Sequence, residues 1–141
     1  RPAASAEYFL RGRWRAWFAT EVIGIIPVET GSGRPHAEVL GKVRDALAAG
    51  NLVIFFPEGT RGEPECLGKL KTGIVWLAQQ LPDVPICPVR LCGLGRVLPK
   101  GDWLPVPFFC DAWVGEPLHW EGDRQRLMAA LVVSLGGSPV T

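Results

Sequence analysis

Residues 52–61 read LVIFFPEGTR, an apolar run that stops at a proline and continues into polar residues. The apolar run predicts a strand at the centre of a sheet that is covered on both faces. Pro57 has no N–H group and so ends the strand ladder, while Gly59 lets the backbone turn or approach a ligand. Thr60 offers a hydroxyl and Arg61 a planar guanidinium, both suited to phosphate. The segment therefore predicts an anion-binding loop at the end of a strand.

A simpler interpretation of this segment stays open. Proline and glycine are common in turns that only connect two elements. Glu58 and Arg61 could then form an exposed ion pair, which would contribute little to stability.

Apolar patterning around the segment predicts strands that alternate with helices. Strands are expected at residues 2–6 (a short edge strand), 22–28 and 86–92 (both buried) and 109–114. One helix is opened by Pro35 and closed by Gly50, a second follows Lys71, and a third covers residues 123–135. This alternation indicates an α/β fold, a mainly parallel central sheet flanked by helices, in one domain over residues 1–141.

Composition restricts the class of protein. The 141 residues are 48% hydrophobic and 21% charged, which is typical of a globular chain with a core of its own. The formal net charge of +1 gives no strong field that would favour nucleic acid. The four cysteines show no C-x-x-C spacing, and nothing in the pattern implies a metal or a bound cofactor. Cys87 and Cys92 lie in or beside a predicted strand, where a free cysteine behaves as a small buried apolar residue.

Two apolar segments are candidates for membrane contact. Residues 8–18, YFLRGRWRAWF, interleave aromatic side chains with arginines, a combination that suits a lipid headgroup layer. A helix that packs on the core with solvated arginines explains the same pattern. Residues 103–109, WLPVPFF, would mark a lipid or acyl-chain contact if exposed and a core segment if buried.

The segment FFPEGTR resembles the FPEGTR block of the glycerophospholipid acyltransferases, the family that includes lysophosphatidate acyltransferase. Four further segments resemble blocks of that family in the family's own order. They are residues 23–28 (IGIIPV), 70–73 (LKTG), 84–89 (VPICPV) and 115–118 (GEPL). The resemblance covers most of the chain and implies an acyltransferase-like α/β fold.

The chain departs from the family pattern at the catalytic centre. The family's catalytic block is a histidine followed, after four residues, by an aspartate, and neither His36 nor His119 has that spacing. His36 is predicted to be a surface residue in the first turn of a helix. Val28 is followed by Glu29, where the family has an arginine. We therefore expect no catalytic residue in this chain, and we expect a single acyltransferase-like domain that lacks its N-terminal part, with the histidine and aspartate upstream.

The resemblance implies transfer of a fatty acyl group from acyl-CoA or acyl-carrier protein to a lysophospholipid or glycerol-phosphate acceptor, as in phospholipid biosynthesis. It implies a substrate-binding set that holds the acceptor phosphate: Glu58, Gly59, Thr60, Arg61 and Lys71. It also implies a protein associated with the cytoplasmic side of a membrane. An inactive lipid-binding or scaffold member of the same fold is the alternative.

Overall fold

The structure is a computed structural model that describes residues 1–5, 17, 21–28, 35–59, 66–93 and 109–136. Its contacts divide the chain into two compact units. Unit 1 holds Arg1–Pro57 and Lys71–Val84, and unit 2 holds Glu58–Leu70 and Pro85–Thr141. The helices and strands within the described residues are β1 Ala3–Ser5, β2 Ile26–Val28, α1 His36–Ala48, α2 Gly73–Gln80, β3 Val89–Cys92, β4 Asp111–Val114 and α3 Arg124–Ser134.

In unit 1 the N-terminal strand β1 lies between two parallel neighbours. It pairs with β2, with Ala3 opposite Ile26. On its other side Ala3 N donates a hydrogen bond to Ile54 O at 2.9 Å, and Ile54 N donates to Arg1 O at 3.0 Å. The prediction of an edge strand over residues 2–6 is therefore wrong. A short strand can be paired on both sides, since its length does not determine the number of its neighbours.

Helix α1 begins and ends close to the proline and the glycine that predict its bounds. Pro35 stands at the N-cap, and Gly50 follows the last turn with a φ of +79°. Leu40 and Val43 are buried on the face that the helical spacing predicts. They form the core of unit 1 together with Ala3, Ile26 and Leu77.

Helix α2 packs closely on α1 because its first residue is a glycine. A Cβ atom on Gly73 would lie 3.0 Å from Leu40 Cδ1 and 3.6 Å from Phe55 Cζ. Gly73 itself is buried, and the buried side chains of this helix are Ile74, Val75, Leu77 and Ala78. The absence of a side chain at position 73 therefore lets the N-terminal turn of α2 approach the core.

Only one of the two faces of residues 52–56 is covered by the rest of the protein. Val53 and Phe55 pack against the core of unit 1. The alternate side chains are exposed, Leu52 at 77%, Ile54 at 51% and Phe56 at 57%. The prediction of a strand buried on both faces is therefore wrong. A continuous apolar run does not reveal which faces are covered. The structure shows exposure that alternates every second residue, and β pairing in this segment is limited to the bridge between Ile54 and Pro2.

In unit 2 the strands β3 and β4 pair in antiparallel fashion, with Val89 opposite Val114. Strand β3 is shorter than the segment 86–92 that the sequence predicts, and Val89 and Leu91 are exposed, so the prediction of a buried strand is wrong here too. The same holds for the segment 22–28, of which only Ile26–Val28 forms a strand while Val22 and Ile23 are exposed. Helices and strands are both present, as expected for an α/β chain. Pairing is parallel in unit 1 and antiparallel in unit 2, so the mainly parallel central sheet stays a prediction.

Helix α3 is fixed at both ends by specific contacts. The Asp123 carboxylate accepts hydrogen bonds from Gln125 N and Arg126 N, and so caps the first turn. Gly136 follows the helix with a φ of +81°. A side chain at this glycine would collide with the guanidinium of Arg90. Arg90 thus places a positive charge at the C-terminal end of the helix, where the helix dipole favours a cation.

Candidate substrate-binding loop

The described start of the predicted anion-binding loop belongs to unit 2. Gly59 has a φ of +65°, in the left-handed region where a side chain would be strained. Glu58 turns its carboxylate to the other end of the loop, where Glu58 Oε2 accepts a hydrogen bond from Gly68 N at 3.1 Å. Glu58 therefore binds backbone ten residues further along the chain.

The two residues with the strongest sequence case for phosphate binding, Thr60 and Arg61, lie outside the described residues. So do most of the two segments predicted to contact a membrane, residues 8–18 and 103–109. Within them, Trp17 and Phe109 are described, and both are exposed. No described helix combines the length and apolarity that a membrane span requires.

Lys71, the remaining predicted substrate-binding residue, belongs to unit 1. Its side chain is exposed, and its backbone N donates to Pro57 O at 2.8 Å. It lies two residues before α2, whose first turn contains no acidic residue. A helix N-terminus favours negative charge, so an exposed lysine at this place can share an anion with the helix.

A contact in unit 1 that the sequence did not predict joins the N-terminal ends of α1 and α2. Thr72 is the N-cap residue of α2, but its side chain does not cap that helix. Instead, Thr72 Oγ1 lies 3.4 Å from His36 Nε2, and the tautomer of the ring decides which of the two donates. His36 is exposed in the first turn of α1, as predicted. No sequence signal connects two residues 36 positions apart.

A second place with polar side chains is a pocket of about 260 Å³ in unit 2. Two of its three carboxylate or guanidinium side chains bind each other, since Arg126 Nη1 lies 2.6 Å from Glu121 Oε2. The third, Asp123, caps α3. The pocket is lined by Pro117, Leu118, His119, Glu121, Asp123, Arg126, Leu127 and Ala130. Its charged groups therefore serve the local structure of the helix start.

The described part of the chain contains no group of side chains that could bind a metal ion. No three histidine, cysteine, aspartate or glutamate side chains come together there in a way that could hold an ion. Cys66, Cys87, Cys92 and Cys110 are all free thiols. The prediction that Cys87 is buried is wrong, since it is exposed.

Known proteins similar to this chain are acyltransferases. This chain is 32% identical over 84 residues to a chloroplastic 1-acyl-sn-glycerol-3-phosphate acyltransferase of Brassica napus. The aligned residues are 60% of this chain and 24% of that protein. The chain is also 32% identical over 87 residues to the 1-acyl-sn-glycerol-3-phosphate acyltransferase of Pseudomonas aeruginosa, covering 62% and 33%. A Chlamydomonas reinhardtii enzyme of the same name is 37% identical over 68 residues, covering 48% and 20%.

The chain thus spans about a quarter of the Brassica napus protein and a third of the Pseudomonas aeruginosa protein. No solved structure matches it. The model of the Acyltransferase family matches residues 3–92, which include all five predicted substrate-binding residues and more than half of the chain. This protein therefore belongs to the Acyltransferase family.

Proposed function

We propose that this protein transfers a fatty acyl group from acyl-CoA or acyl-carrier protein to 1-acyl-sn-glycerol 3-phosphate or a closely related glycerol-phosphate acceptor. The observation that carries the proposal is the family match over residues 3–92, together with relatives that are named for this reaction. Family membership alone leaves the acceptor open. The acceptor is inferred from the relatives' names and from the predicted anion-binding loop.

The reaction moves the acyl group from the thioester sulfur of the donor to a hydroxyl oxygen of the acceptor. The acceptor hydroxyl oxygen attacks the thioester carbonyl carbon, the C–S bond breaks, and the hydroxyl proton ends on the departing thiol. The family resemblance assigns proton removal to a histidine held by an aspartate, a pair that is absent from these 141 residues. The proposed contribution of this chain is to bind and orient the acceptor.

We assign the acceptor phosphate to the loop that follows residues 52–56. Arg61 would bind two phosphate oxygens through its planar fork, and Thr60 would donate its hydroxyl. Lys71, at the start of α2 in unit 1, stays a separate proposed anion contact. The left-handed backbone at Gly59 supports a turn that brings the main chain close to a ligand.

Replacement of Arg61 tests this assignment directly. In the full-length protein, Arg61→Ala should raise the acceptor KM and lower kcat/KM by roughly 30- to 1000-fold, because a charge-assisted phosphate fork is lost. Arg61→Lys should recover only part of this loss, since lysine keeps the charge without the fork. Steady-state rates with 1-acyl-sn-glycerol 3-phosphate and acyl-CoA measure both effects.

A surface arginine of unit 1 provides the matched control. Arg44 lies on α1, and its guanidinium binds the carboxylate of the neighbouring Asp45 at 2.6 Å, so Arg44→Ala should leave both KM values unchanged. A folded Arg61→Ala protein with activity within a few-fold of wild type would remove Arg61 from the site. Binding of the acceptor without any acyl transfer by the wild-type protein would instead support the inactive lipid-binding alternative.

We also propose peripheral membrane contact on the cytoplasmic side through residues 8–18 and 103–109. The exposure of Phe109 at 96% supports it, because a large apolar side chain is costly to leave in water. Arginines near the surface favour anionic lipid. The protein should therefore sediment with vesicles that contain phosphatidylglycerol and much less with pure phosphatidylcholine vesicles. Equal absence from both pellets would contradict the proposal.

The mainly parallel central sheet also remains a proposal. It is supported by the parallel pairing of β1 with β2 and by the parallel bridge between Pro2 and Ile54 in unit 1.

A further inference from the structure

The carboxylate of Glu58 has a partner that ties the two ends of one loop together. Glu58 Oε2 accepts the hydrogen bond of Gly68 N at 3.1 Å, and both residues belong to unit 2. A bond between a carboxylate and a backbone N–H is charge-assisted and stronger than a bond between neutral groups. The sequence between these two residues contains Thr60 and Arg61.

A side chain at position 68 would meet this carboxylate. A Cβ atom at position 68 would lie 2.7 Å from Glu58 Oε2, 3.6 Å from its Cδ and 3.9 Å from its Cγ. These are the three nearest atoms, and all of them belong to Glu58. Gly68 is not among the glycines with positive φ, so its backbone conformation does not demand glycine. A side chain at position 68 would therefore displace the Glu58 carboxylate.

We propose that Glu58 and Gly68 are positioning residues that act as a clasp on the loop, and that Glu58 serves the acceptor site through Gly68 and not by touching the substrate. The inference rests on the proposed function, since it concerns the same acceptor site. Closing the loop in advance lowers the conformational entropy that the protein loses when the acceptor binds. The clasp thus favours acceptor binding.

Gly68→Ala separates the clasp from a direct substrate contact because it leaves the Glu58 carboxylate in the protein. The added methyl group meets only the far part of a flexible side chain, so the carboxylate should move away while the chain still folds. We expect the acceptor KM to rise about tenfold, with the acyl-donor KM and kcat within about twofold of wild type. Glu58→Ala should give the same split.

The two substitutions should not be additive. In a Glu58→Ala background the atoms that the added methyl group would meet are gone, so Gly68→Ala should raise the acceptor KM no further. Gly41→Ala is the matched glycine control. Gly41 lies within α1, and a Cβ atom there has nothing within 4 Å, so this variant should keep the wild-type KM values.

Amide hydrogen exchange gives a readout that does not depend on activity. The Gly68 amide should exchange faster in Glu58→Gln and faster still in Glu58→Ala, because the hydrogen-bond acceptor is weakened and then removed. An unchanged Gly68 exchange rate in both variants would overturn the clasp, whatever the kinetics show.

The kinetic outcomes separate the clasp from the proposed function. An increase of acceptor KM in Glu58→Ala but not in a folded Gly68→Ala protein would overturn the clasp and make Glu58 a direct substrate contact. Absence of acyl transfer by the wild-type protein would overturn the proposed function. In that case, and also if Gly68→Ala fails to fold, the exchange rate of the Gly68 amide in the Glu58 variants decides the clasp.

Discussion

At the scale of single residues, Asp123 shows how one side chain fixes the start of a helix. Its Oδ1 atom accepts from Gln125 N at 2.7 Å and from Arg126 N at 3.2 Å. These N–H groups have no acceptor within α3, and the carboxylate also places a negative charge at the positive end of the helix dipole.

Asp123→Ala should therefore lower the free energy of unfolding by about 1 kcal/mol. Urea unfolding followed by circular dichroism measures the change as a lower transition midpoint. Asp123→Asn is the control, since its side-chain oxygen can still accept from the same N–H groups and should retain most of the stability. An alanine variant with the wild-type midpoint would show that the cap contributes nothing.

Two of the three glycines in the candidate loop are described, and they differ in what limits a side chain there. Gly59 has a backbone conformation that side chains rarely adopt, and the sequence context of a turn after Pro57 predicted this freedom. Gly68 has no such conformation and is limited by the space that Glu58 occupies. This contact could not be predicted, because it joins residues ten positions apart through a backbone N–H, which every residue except proline carries.

At the scale of elements, helices were predicted more closely than strands. Helix ends carry local signals, such as Pro35 and Gly50 around α1 or Asp123 and Gly136 around α3, and the observed bounds agree to within two residues. Helix faces are also encoded locally, since residues three and four positions apart share a face.

Strand burial depends on what lies across each face, and no local pattern contains that information. The apolar residues 52–56 are consistent with either one covered face or two, and the structure covers one. Pairing direction is equally non-local, which is why the antiparallel partner of β3 was not predicted. The candidate site divides in the same way: the sequence predicted the loop, while the Glu58 to Gly68 contact required the structure.

At the scale of the whole molecule, the buried apolar side chains are unevenly distributed between the two units. Of the twelve buried hydrophobic residues in the described part of the chain, nine belong to unit 1. The other three, Leu70, Leu127 and Leu131, belong to unit 2. Since burial of apolar surface is the main favourable term in folding, unit 1 should be the more stable.

Native-state hydrogen exchange should therefore show slower amides in α1 and α2 than in α3. Val43 is fully buried in unit 1, and Val43→Ala should lower the free energy of unfolding of this unit by about 2 kcal/mol. Exchange in α1 and α2 should then accelerate by roughly 30-fold, with little change in α3. Leu131→Ala is the reciprocal variant in unit 2 and should accelerate exchange in α3 while leaving α1 near its wild-type rate. If either variant accelerates all three helices equally, the units unfold together, and the single domain predicted from the sequence describes the chain better than two separately stable units.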